Sequence, residues 1–88
     1  MSFQKFAPAR SGWKINEYAV AGRYAVVGFY CSNGGVTALL VRETAGNWVL
    51  VTRGGAQITP DFMVRAIPAM EISVAQRLYD LVMSQDRP

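Results

Sequence analysis

Tyr24-Ala25-Val26-Val27-Gly28-Phe29-Tyr30-Cys31-Ser32-Asn33-Gly34-Gly35-Val36-Thr37-Ala38-Leu39-Leu40-Val41-Arg42 decides the fold. Both halves are apolar, with β-branched and aromatic residues leading in the first, and Ser32 to Gly35 interrupts them with residues that tolerate the positive φ angles of a tight connection, so the stretch reads as a β-hairpin. Along Tyr24–Cys31, side chains alternate between two faces: Tyr24, Val26 and Tyr30 on one, Ala25, Val27, Phe29 and Cys31 on the other. Val36 to Glu43 does the same, with Val36, Ala38 and Leu40 opposite Thr37, Leu39 and Val41. Neither strand has a polar face. The sheet they begin is therefore expected to need cover on both sides.

Outward from this hairpin, Ala45-Gly46-Asn47 marks a second turn and Trp48 to Thr52 a further strand, closed by Gly54-Gly55. Upstream, Gly22 marks a turn, and Trp13, Ile15 and Glu17 alternate with Lys14 and Asn16 in a strand running to Ala21. After residue 58 the pattern becomes helical. Thr59-Pro60-Asp61 supplies an N-cap, a proline at the first helical position and a first-turn acid, opening a short helix to about Ala66. Ile67-Pro68 ends it, and Pro68 is expected to begin a longer helix to about Ser84.

On that helix's wheel, Met70, Val74, Ala75, Leu78, Leu81 and Val82 form one stripe, with Ser73, Gln76, Arg77 and Asp80 opposite. Ile72, Tyr79 and Met83 widen the apolar arc to roughly 200°, more than packing onto one sheet requires. The expected architecture is α+β: a four-stranded antiparallel meander followed by one short and one long C-terminal helix, the long one packed on the sheet. Residues 1–12, with Phe3, Phe6, Pro8, Ser11 and Gly12 but no period, read as a flexible basic N-terminal arm, and 13–88 as a single small domain. One helix covers one face. The second face is left either to the arm and the short helix or to another protein or a second copy of the chain, with Ile72, Tyr79, Met83, Tyr24 and Tyr30 as the candidate partner-binding residues.

Eighty-eight residues make one domain, and a chain this short buries only ~60–65% of its unfolded surface, so packing or association must be good. Hydrophobic residues make up 51% and charged residues 17%, which argues against disorder. The formal charge of +3 resides in Lys5, Arg10 and Lys14, because the six arginines of residues 17–88 are matched by six acids. A basic face on the folded part is thus absent from the sequence, and nucleic acid is disfavoured as a partner. The single Cys31 forms no intrachain disulfide and reads as a small hydrophobe in a reducing compartment. No run reaches the ~18–20 apolar residues of a membrane span, and Met-Ser-Phe-Gln-Lys is not followed by a signal-like apolar core, so the expected location is cytoplasmic.

Catalysis is disfavoured. The chain has no histidine, which removes Ser-His and Cys-His pairs and the commonest metal ligand, and its six acids are isolated in sequence, so neither an enzyme nor a cofactor or metal site is expected. The glycine pairs match no phosphate-loop fingerprint, yet Arg53, Gly54 and Gly55 lie between a strand and a helix start and are the candidate anion-binding residues. Tyr24, Phe29, Tyr30 and Trp48 would serve as a nucleotide-stacking platform only if they shared a solvent face, which the alternation denies. The leading expectation is a non-enzymatic protein-interaction module, a small regulator or inhibitor of a larger protein or a homodimer. A weak nucleic-acid or anion binder using the basic arm and Arg53-Gly54-Gly55 is the alternative.

The ordered set Tyr24-Ala25-Val26-Val27-Gly28-Phe29, Gly34-Gly35, Ala38-Leu39-Leu40, Gly46-Asn47-Trp48, Gly54-Gly55, Ile67-Pro68 and Ala75 resembles a small uncharacterised domain found in hypothetical proteins of cyanobacteria. The likeness spans roughly residues 15 to 82. This chain departs from the pattern in the order of its Gly46-Asn47 turn and in Ile67, where similar domains carry valine. The resemblance implies the fold and carries no known activity, catalytic residue or cofactor.

Overall fold

A computed structural model describes residues 3–6, 12–31, 34–43, 46–54 and 58–85. Four strands, β1 (Lys14–Ala21), β2 (Tyr24–Cys31), β3 (Gly34–Arg42) and β4 (Trp48–Gly54), form one antiparallel sheet in the order β1-β2-β3-β4, as a meander requires. Two helices follow, α1 (Pro60–Ala66) and α2 (Ile72–Gln85). The β1–β2 connection is a two-residue turn with Gly22 at the first central position and φ +59°, which suits the twist of the flanking strands. Gly34 and Gly35, expected in the next turn, instead pair with Cys31 and Tyr30 as part of β3, and the rest of that turn lies outside the described residues.

The alternation in the central strands separates two cores. On one face Val26 and Leu39 join Ala19, Met63, Met70, Ala75, Leu78 and Val82 beneath the helices. On the other face Ala25, Val27, Phe29, Ala38 and Leu40 pack against Phe3, Phe6, Trp13, Trp48 and Leu50. Phe29, Leu39, Leu40, Met63 and Leu78 are among the largest fully buried side chains, each contributing on the order of 1.5–3 kcal/mol of transfer free energy.

The second face is thus closed within the chain. Within the segment read from sequence as an arm, Phe3–Phe6 forms one 3₁₀ turn, whose three-residue period sets Phe3 and Phe6 on the same side, towards the sheet. Phe3 meets Trp48 nearly edge-on, with ring centroids 5.5 Å apart, and Tyr18 at 6.0 Å. Arg53 fixes the turn by donating from Nη1 to the Phe6 carbonyl at 2.9 Å. The short helix takes no part in this cover, because Met63 of α1 lies in the core under α2.

α1 has the start its sequence indicates: Thr59 is extended at φ −88°, its Oγ1 accepts from the Phe62 N–H at 3.3 Å, and Pro60 opens the helix. The long helix begins four residues later than expected. Ile67 to Met70 makes a turn closed by Met70 N–H donating to the Ile67 carbonyl at 2.9 Å, which drops Met70 into the core, and helical bonding starts at the Glu71 carbonyl. On α2, Ala75, Leu78 and Val82 are buried as the wheel implies, whereas Leu81 is 37% exposed because α2 packs chiefly across the edge strand β1 and leaves that residue beyond the strand.

Candidate functional site

Among the described residues, two concave regions flank β1. The first follows from a register shift between Ile15 and Glu17, which places Glu17 opposite Gly28 of β2. Its side chain lies across the glycine: a Cβ at position 28 would sit 3.0 Å from Glu17 Cγ and 3.2 Å from its Oε1. Beside it, between the sheet and the helices, is a cavity of about 250 Å³ walled by Glu17, Gly28, Thr37, Ile58, Met63 and Tyr79. Glu17 Oε2 is buried in this wall. The described lining holds one carboxylate and no basic group, so it offers a charged anchor in a hollow of mixed polarity but no acid–base pair.

The second region is the seam between the outer edge of β1 and α2. Tyr18, Ala19, Val20, Leu81 and Gln85 line one hollow, and Val20, Ala21, Arg23, Tyr24, Val74 and Arg77 line the next, so the two meet at Val20. Tyr18 is 54% exposed, and Val20 and Leu81 are also open to solvent. At the centre, the Gln85 carboxamide is laid against the strand edge. The Tyr18 N–H donates to Gln85 Oε1 at 3.1 Å, and Gln85 Nε2 donates to the Tyr18 carbonyl at 2.6 Å and to the Leu81 carbonyl at 3.2 Å. Arg23 and Arg77 bring positive charge to the hairpin end. Arg23 donates to the Arg42 carbonyl at 3.2 Å, while Arg77 makes no hydrogen bond or ion pair among the described residues.

The candidates read from sequence are distributed over several places. Tyr79 and Tyr30 both line the Glu17 cavity, Tyr79 half-buried and Tyr30 45% exposed. Tyr24 is half-buried against the helical core and lines the Arg77 end of the seam. Ile72, 56% exposed, and Met83, half-buried, border neither region. Arg53 lies on the arm-covered face with its guanidinium engaged by Phe6, Gly54 is the last residue of β4, and Gly55 lies outside the described residues. Sequence reading missed Glu17, Tyr18, Val20, Leu81 and Gln85. A recognisable β1 edge strand pointed to Tyr18 and Val20, but Gln85 reaches Tyr18 across 67 positions and has no local signature.

Cys31 is a free, half-buried thiol at the end of β2. No described helix is long and apolar enough to cross a membrane, and no cluster of metal-ligating side chains occurs among the described residues. No family model, curated protein or solved structure matches this chain.

Proposed function

We propose that this chain is a non-enzymatic protein-interaction module, a small cytoplasmic regulator that docks on a larger protein through the β1–α2 seam. The observation carrying this reading is the contiguity of exposed Tyr18, Val20 and Leu81 along one hollow at the sheet edge. Aromatic and aliphatic side chains gathered in a recess are the usual anchors of a protein interface, whereas isolated exposed apolar residues carry no such meaning. With the second sheet face filled by Phe3 and Phe6, the seam replaces that face as the place where a partner gains most. The non-enzymatic part rests on a chain without histidine and a cavity whose described lining has a single carboxylate, Glu17.

Affinity capture from the source organism with the intact chain and with a Tyr18→Ser/Leu81→Ser variant tests the reading. Both side chains are exposed, so the variant keeps its fold, verified by circular dichroism, and loses the captured protein. A partner retained at full yield by the folded variant refutes docking at the seam. Light scattering across a concentration series separates a second copy of the chain from a different protein.

A further inference from the structure

We propose that the seam receives an extended acidic peptide by antiparallel strand addition to β1, with Gln85 as a built-in stopper that the incoming strand displaces. This deepens the interaction reading and rests on it. The outward N–H and C=O of Tyr18 are both taken by the Gln85 carboxamide, at 3.1 and 2.6 Å. An opposed residue of an antiparallel strand makes this same pair of bonds, one accepted and one donated, so the side chain occupies the place of a strand residue. Because outward backbone groups recur every second residue, those of Val20 continue the row, and Val20 pairs with Ala25 in the same non-bonded register that Tyr18 has with Val27. Side chains of an added strand would alternate between Tyr18 and Val20 on the arm side and Val74 and Leu81 on the helix side.

Charge selects the occupant and, with strand direction, its orientation. Arg23 and Arg77 line the hollow at the C-terminal end of β1, and the described lining there holds no acid. Arg77 has no ion pair among the described residues to give up. An antiparallel strand enters at that end with its own N-terminal residues, so the recognised segment carries Asp or Glu first and alternating apolar residues after.

A random heptapeptide library displayed on phage, selected against the folded full chain, tests this. Selected sequences are expected to carry acidic residues at their N-terminal end followed by alternation. A representative synthetic peptide is expected to shift the Tyr18 and Val20 amide resonances, to lose at least fivefold in affinity on Arg77→Gln, and to stop binding when its central residue becomes proline. Gln85→Ala is expected to tighten binding about three- to tenfold, since the stopper no longer competes, an effect a purely structural Gln85 would not produce. Selection without acidic enrichment, resonance shifts elsewhere, or unchanged affinity on Gln85→Ala overturns the proposal. Dimerisation of Gln85→Ala without peptide also overturns it, by making a second copy the occupant. If captured protein is lost on Tyr18→Ser/Leu81→Ser while the peptide series fails, strand addition falls and docking at the seam stands.

Discussion

Replacing Phe3 with alanine tests whether one turn of 3₁₀ helix closes the second face of the sheet. A fully buried Phe→Ala costs ~3–5 kcal/mol, and Phe3 is half-buried, so the transfer and cavity loss scales to about 2 kcal/mol. The ring's contacts with Trp48 at 5.5 Å and Tyr18 at 6.0 Å fall in the range where aromatic pairs add roughly 0.5–1.5 kcal/mol each, which keeps the figure from being smaller. A chain of 88 residues has ~4–13 kcal/mol of stability in all, and at ~4–8 °C per kcal/mol the midpoint should fall by about 8–16 °C. Both tryptophans of the chain, Trp13 and Trp48, pack on this face, so their emission reports the arm directly. Urea titration followed by tryptophan emission and by far-ultraviolet circular dichroism should show the emission shifting red before the helical signal is lost, since the helices lie on the opposite face. A midpoint within about 1 °C of the parent, together with unchanged emission, refutes the assignment of Phe3 as cover.

Other perturbations probe the remaining layers. Gly28→Ala forces Glu17 to move and is expected to cost about 1–2 kcal/mol by chemical denaturation. In a Glu17→Ala background the same change should become neutral or stabilising, because the strand then gains from the stiffer residue, and an equal cost in both backgrounds defeats the explanation. Leu78→Ala should cost about 3–4 kcal/mol and Leu81→Ala below about 1, although both belong to one stripe on the helical wheel; equal thermal shifts contradict the packing described. Thr59→Ala removes the side-chain acceptor for the Phe62 N–H and should cost about 0.5–1 kcal/mol, with Thr59→Ser recovering most of it in the same melt.

The strands were legible because their determinants are local. Period-two alternation in Tyr24–Cys31 placed each side chain on the face it occupies, and Thr59-Pro60 fixed the start of α1 to the residue. What failed depended on distance. The delayed start of α2 comes from Met70 dropping into a core built largely by the sheet, a preference that the Ile67-Pro68 dipeptide does not encode. Phe3 and Phe6 carry the 3₁₀ period, but two residues are too few to separate it from chance, and only the pre-existing apolar face makes that turn favourable. Glu17 was legible as one strand residue among others. Its position over Gly28 depends on a register shift that no local pattern announces.

The two edges of the sheet are protected in different ways, and the difference bears on where a partner can act. On β4, a register shift opposite Leu39 and Leu40 disturbs the ladder itself, and Arg53 adds a charge near its end. Both devices are permanent, since removing either requires refolding or mutation. On β1, the irregularity is confined to the Ile15–Glu17 end, and Tyr18 to Ala21 stays in regular register with β2. There the protection among the described residues is the Gln85 carboxamide at the C-terminus of α2, an exposed side chain whose bonds exchange with solvent or with another donor and acceptor. Releasing it costs the two strand-edge bonds, a net of about 0.7–1.4 kcal/mol for an exposed side chain, which matches the three- to tenfold effect expected of Gln85→Ala and which a strand bringing several backbone bonds and burying Val20 and Leu81 regains. A reversible cap on a regular strand, beside exposed apolar anchors and an arginine with no ion pair among the described residues, therefore distinguishes β1 from β4 as the addressable edge.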